Sequence, residues 1–266
     1  MAAPVRKTDG NPTLLLLHAA GLDRTSWDDV VDRIPGFART VAIDLPDPVT
    51  HDRNAVPALA DHVARRLTGL GVHRPHVVGH SLGAAVALEL ACRVPVAAVT
   101  GFCTIGFHAT TRTAMCGTKV RTLMRLVRAA GPTVRRRLLD SPVFHRVVMS
   151  VLSARPSAIE AGVAAADVNS IVGSDLEVLA DFACRYVLAD PGRLAGTPVN
   201  LVWADQDRVV PRCDARHAAR LLPHARQMAI MDCGHLVMRD DPDGTAAVVH
   251  ACHSHLMREL QRQAAR

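Results

Sequence analysis

Six short apolar runs recur along the chain: Thr13–Leu17, Thr40–Ile43, His76–Val78, a stretch within Val96–Thr104, Val199–Trp203 and Gln227–Met231. None shows the apolar–polar alternation of a strand with one wet face. Uninterrupted runs of this length belong to strands covered on both sides, which is the condition of a parallel sheet between two layers of helices. Helix-like stretches fit between them, at Ala55–Gly69, Leu82–Arg93 and from about Thr245 to Leu260. The alternation predicts an α/β fold with a mostly parallel central sheet flanked by helices.

One region breaks the rhythm. Residues 107–191 contain no strand-like run and are punctuated by Gly131-Pro132, Ser141-Pro142 and Arg155-Pro156. They are expected to form a helical insertion at one end of the sheet, with 1–106 and 192–266 making up the core domain. From Arg112 to Arg155 the chain carries nine arginines and Lys119 against a single carboxylate, Asp140. Arg121, Arg125 and Arg128 stand at i, i+4 and i+7 and share one helix face; Arg135, Arg136 and Arg137 extend the positive charge. This is either a solvated basic face or a docking surface for an anionic substrate, coenzyme A phosphates or an acidic acyl carrier protein.

Composition narrows the rest. A chain of 266 residues, 49% apolar and 21% charged, is long enough for a substantial core and unlike a disordered or fibrous protein. Aromatics at 3% argue against a base-stacking surface, and no recognition module accompanies the net charge of +6, so no nucleic-acid partner is expected. The seven cysteines are odd in number and lack a C-x-x-C pair, so they read as buried apolar residues of a reducing compartment rather than as disulfides or a zinc ribbon. Residues 1–10 lack the apolar stretch of a secretory signal, and Leu14–Leu17 is too short to span a bilayer. A soluble, cytoplasmic protein without a membrane span is the expectation.

The chemistry gathers at Gly79-His80-Ser81-Leu82-Gly83. A G-x-S-x-G sequence between a strand and a helix forms a sharp turn that lifts the serine hydroxyl out at the carboxyl edge of the sheet. Here the third apolar run precedes it and the helical Ala84–Leu90 follows. A serine nucleophile needs a base, and the base needs an orienting carboxylate. Among 14 histidines, His235 follows the last apolar run in Cys233-Gly234-His235 and precedes the last helix. Asp205 and Asp207 both follow the fifth run, in Ala204–Pro211. Either acid produces the chain order Ser, Asp, His expected of such a sheet. His80, beside the serine, reads as a packing residue, and Trp27 as part of the core.

With these pieces in place, the chain resembles the α/β-hydrolase superfamily of serine hydrolases with a helical cap. The likeness rests on His18-Ala19-Ala20-Gly21, the Gly79–Gly83 turn, Trp203–Pro211 and Gly234-His235. It departs from the family at His18-Ala19, where His-Gly is common, and at Asp47-Pro48, where a Gly-rich turn is common. The resemblance implies that Ser81 is the nucleophile, His235 the base and Asp207, rather than Asp205, the acid. It further implies an oxyanion hole from the backbone N–H groups of Ala20 and Leu82, a structural role for His18 in that loop, residues 107–191 as the cap, and no metal or organic cofactor. The expected activity is hydrolysis of a small-molecule ester or lactone. Thioester hydrolysis on coenzyme A or acyl-carrier substrates, and C–C hydrolase, lyase or cyclase chemistry, are the enzymatic alternatives; a ligand-binding receptor on the same scaffold is the non-enzymatic one.

Overall fold

The computed structural model describes residues 11–35, 39–46, 55–107, 122, 125–127, 129–174 and 185–265, with the backbone alone at 132, 136, 139, 142 and 145. Six strands, β1 (Leu14–Leu17), β2 (Thr40–Ile43), β3 (His76–His80), β4 (Ala98–Phe102), β5 (Val199–Ala204) and β6 (Arg226–Ile230), form one sheet. Their order is β2-β1-β3-β4-β5-β6, and every neighbouring pair is parallel. The four inner strands are buried almost throughout, as their apolar runs demand. The rim strands differ from the sequence expectation: β2 and β6 are largely half-buried or exposed. A rim strand has a neighbour on one side only, so its apolar residues reflect the preference for a pleated backbone more than burial.

Successive side chains point to opposite faces of a strand, and the two faces are covered by different helices. Leu15, Leu17, Val77, Val99, Leu201 and Trp203 pack with α2 (Ala55–Gly69), α3 (Leu82–Ala91) and α7 (Cys213–Leu221). Leu14, Leu16, Val78, Phe102 and Val202 pack with Trp27, α1 (Asp28–Val31), α8 (Val237–Asp240) and α9 (Pro242–Ala264). Helix α2 is amphipathic and buries Val56, Leu59, Ala60, Val63 and Leu67 at helical spacing. Helix α3 is buried on all sides from Leu82 to Leu90, in keeping with its uniformly apolar sequence.

Between β4 and β5 the described residues contain no strand. They include α4 (Gly131–Leu139), α5 (Pro142–Met149) and α6 (Ala161–Gly173). The apolar side of this region, including Val127, Val148, Met149, Leu152, Val168 and Ile171, packs on Ala19, Leu22 and Leu236. Those three lie in the loops after β1 and β6, so the helices sit against the carboxyl end of the sheet. A buried bidentate ion pair holds them there: Arg239 on α8 donates through Nε (2.9 Å) and Nη2 (3.1 Å) to Asp167 on α6.

The chain runs from β1 to β2 in one direction and returns to the other side of β1 with β3. The crevice at that reversal is where open α/β sheets place their ligands. Glycine lets helix α3 close onto the two strands beside it. A Cβ on Gly83 would stand 2.3 Å from the Leu17 carbonyl oxygen and 2.5 Å from that of His18, and a Cβ on Gly79 would stand 2.3 Å from the Gly83 oxygen. Helix α3 therefore starts directly on the end of β1. At the opposite end of the sheet, His76 and His253 are fully buried and stacked, with ring centroids 5.5 Å apart and Nδ1 atoms at 3.2 Å.

Replacing Gly83 with alanine should lower stability by about 3 kcal/mol, because backbone rather than a movable side chain meets the new methyl group; urea unfolding measures it. Burial, together with the neighbouring His253, pushes the His76 pKa down to about 3, and burial with His250 pushes that of His253 down to about 4. Both rings stay neutral in the folded chain while the unfolded chain protonates them below about pH 6.5, so stability falls as pH drops from there towards 4. The unfolding free energy from urea titrations should decline steeply over this interval, by about 2 kcal/mol per histidine at pH 5, and His253→Asn should make the decline shallower.

Candidate active site

Ser81 links β3 to α3 with φ 53° and ψ −109°, a left-handed backbone that a side-chain-bearing residue adopts only under local constraint. The constraint is visible: the Ser81 N–H donates to the Phe102 carbonyl at 2.8 Å, and its own carbonyl accepts from Ala84 and Ala85 at 3.2 Å. Glycines at 79 and 83 remove every side chain that would obstruct so tight a turn. The Leu82 N–H opens α3 and so has no carbonyl partner within the helix.

The loop after β5 carries Asp207 and the loop after β6 carries His235. His235 Nε2 lies 3.1 Å from Ser81 Oγ, and His235 Nδ1 lies 2.9 Å from Asp207 Oδ2. Ser81 and His235 are each 6% exposed, and the Asp207 side chain 2%. The other Asp207 oxygen accepts the N–H groups of Val209 (2.7 Å) and Val210 (2.8 Å). Burial works against ionisation of this carboxyl, but His235 and the two backbone donors outweigh it and hold its pKa below the ordinary value. An ionised Asp207 accepts the Nδ1 proton, which leaves the Nε2 lone pair of a neutral imidazole facing the serine hydroxyl.

Two further histidines shape the site. His80 is fully buried, and its Nε2–H donates to the His235 carbonyl at 2.7 Å. Burial and the proximity of His235 lower its pKa to about 3, so it adds no charge beside the His235 ring 4.9 Å away. His18 Nε2 accepts the Leu45 N–H at 2.8 Å, and its Nδ1–H donates to the Ala19 carbonyl at 2.8 Å. This imidazole ties the loop after β1 to the end of β2.

Asp205 does not reach His235. Its Oδ1 accepts the Cys233 N–H at 3.1 Å, so it joins the two loops from behind; nothing in the sequence separates that role from a turn residue. Of the basic residues, Arg125 is exposed and Arg135 Nε donates to Asn169 Oδ1 at 2.6 Å. Arg121, Arg128 and the Arg136 side chain lie outside the described residues, as do Cys116 and Cys184. The five described cysteines are free thiols; Cys103, Cys233 and Cys252 are buried, as expected of apolar packing. Cys103 Sγ lies close to the site: it, His80 and His235 present nitrogen and sulfur donors within 4.8 Å of one another, although both His235 nitrogens are already committed to Ser81 and Asp207. Among the described residues no helix is long and apolar enough to cross a membrane.

Comparison with known proteins identifies the family. The chain is 30% identical over 192 residues to epoxide hydrolase EphH of Mycobacterium tuberculosis, covering 69% of this chain and 88% of that protein. It is 28% identical over 251 residues to the dihydrolipoyllysine-residue acetyltransferase component of the acetoin cleaving system of Cupriavidus necator. That match covers 87% of this chain, which spans only 60% of the relative's length. A 2-hydroxy-6-oxo-6-phenylhexa-2,4-dienoate hydrolase from Rhodococcus shares the fold with a TM-score of 0.70 at 18% identity, covering 93% of this chain and 92% of that one. Residues 14–248 match the model of the alpha/beta hydrolase family, and the chain belongs to that family.

Proposed function

We propose that the chain is a serine hydrolase that cleaves a carboxylic ester or lactone, with residues 107–191 as a helical cap over the site. The observation that carries this reading is the continuous line Ser81 Oγ, His235 Nε2, His235 Nδ1, Asp207 Oδ2, with links of 3.1 and 2.9 Å beneath a strained serine turn. Ser81 Oγ bonds to the substrate carbonyl carbon while its proton passes to His235 Nε2. Asp207 holds the Nδ1 proton in place and stabilises the imidazolium. The oxygen that gains charge is received by the N–H groups of Leu82 and Ala20. The carbon–oxygen bond to the leaving alkoxide then breaks as His235 returns the proton, and water repeats the sequence on the acyl-enzyme. Hydrolase-named relatives support the general class.

A second reading, thioester hydrolysis, is favoured by the exposed basic side chains of Arg125, Arg137 and Arg146 on the helical region, which suit coenzyme A phosphates or an acidic carrier. It predicts that Arg125→Ala combined with Arg137→Ala raises KM for an acyl-coenzyme A several-fold and leaves KM for a neutral ester unchanged. Equal effects on both substrates rule it out.

The main reading is tested with a fluorophosphonate probe followed by intact-protein mass spectrometry. Wild type should take up one label, Ser81→Ala and His235→Ala none, and Asp207→Asn should lose roughly 10⁴-fold in turnover of ester substrates. A folded wild type that takes no label overturns the reading.

A further inference from the structure

We infer that Asp240 is a positioning residue for His235, and that the segment Ser150–Arg155 is the brace through which the seating of the preceding helices reaches the base. The inference rests on the reading of His235 as the base. Asp240 closes α8, is 5% exposed, and its carboxylate collects four donors. Oδ2 accepts the N–H of Gly234 (2.6 Å) and of Ala154 (2.9 Å), while Oδ1 accepts the N–H of Arg155 (3.1 Å) and the Ser153 hydroxyl. One side chain thus joins the residue immediately before His235 to a backbone segment some eighty positions earlier.

The residue after His235 is tied to the same segment, because the Leu236 N–H donates to the Leu152 carbonyl at 2.9 Å. Gly234 sits so close that a Cβ there would lie 2.8 Å from the Ala154 nitrogen and the Leu152 oxygen. The acid loop leans on this segment too, through an Arg208 donor to the Ser150 carbonyl. With His80 Nε2 holding the His235 carbonyl, the base is clamped before, at and after its own position. An ionised carboxylate has the lone pairs to accept all four donors. An amide in its place would turn an NH₂ either towards the Gly234 and Ala154 N–H groups or towards that of Arg155, so the link between Gly234 and the 153–155 backbone would open on one side or the other. The Ser81–His235 contact is already 3.1 Å long, so a small displacement of the ring breaks it.

Neighbouring Asp241 supplies the control. Its Oδ1 accepts the Gly244 N–H at 2.8 Å and caps α9 without touching the 150–155 segment. The experiment compares wild type with Asp240→Asn, Ser153→Ala and Asp241→Asn. It uses three readouts: heat unfolding, the rate of fluorophosphonate labelling, and the downfield proton resonance of the His235 Nδ1–H. Asp240→Asn should label 10- to 100-fold more slowly, a loss typical of ångström-scale misplacement, and lose or shift the resonance. Ser153→Ala should show the same effects in weaker form. Asp241→Asn should lower the unfolding temperature while keeping the wild-type rate and resonance.

A folded Asp240→Asn protein that labels within twofold of wild type and retains the resonance overturns the inference. If Asp240→Asn fails to fold, Ser153→Ala decides on the same readouts. A wild type that takes no label defeats the hydrolase reading alone, because the resonance still reports whether Asp240 holds His235.

Discussion

The contact on which the site depends is the approach of α3 to the end of β1, where there is no room for a methyl group between Gly83 and the Leu17 and His18 carbonyls. This approach sets the start of α3 against the end of β1, and the chain enters it at Ser81 through a left-handed turn. Such a backbone costs of order 1–3 kcal/mol and persists only where its surroundings over-determine it. The Phe102 carbonyl, the two carbonyl bonds at the start of the helix and the glycines at 79 and 83 do so here. The strain at Ser81 and the close packing beneath it are one feature seen at two scales.

Around this fixed point the charges are few and well supported. Asp207 remains ionised in a buried position because two backbone donors and an imidazole surround it. His80 contributes its hydrogen bond as a neutral ring beneath His235, and His18 contributes its own to the Ala19 loop. Each takes a place where a backbone bond would serve if the two loops were adjacent in a regular element.

The parts of this arrangement visible in the sequence are those written in short-range pattern. Apolar runs located all six strands, and α2 has the same limits that its periodicity predicts. The turn at Ser81 was legible because glycine at two fixed positions between a strand and a helix has few other uses. Exposure of the rim strands was not legible, since the same residues fill a central strand and an edge. Asp240 was invisible for a different reason. Its partners lie at Ser153, Ala154 and Arg155, and nothing local separates it from Asp241, a helix cap one residue away. Hydrogen bonds between segments distant in sequence leave no periodicity to read. The choice of Asp207 over Asp205 likewise came from family resemblance rather than from residue type.

Strand β6 is the last in the sheet, paired on one side to β5 and half-exposed along its length. The loop bearing His235 hangs from its end, whereas Ser81 rises from the centre of the sheet. Backbone amides at a rim open more readily than those of an inner strand, so opening can be local rather than global. The molecule therefore has a graded architecture: Ser81 shares the fate of the whole domain, while His235 belongs to its most easily loosened edge. Without ties from β6's loop to the helical region and the neighbouring Asp207 loop, fraying of a single rim strand would part His235 from Ser81 in a chain that is otherwise folded.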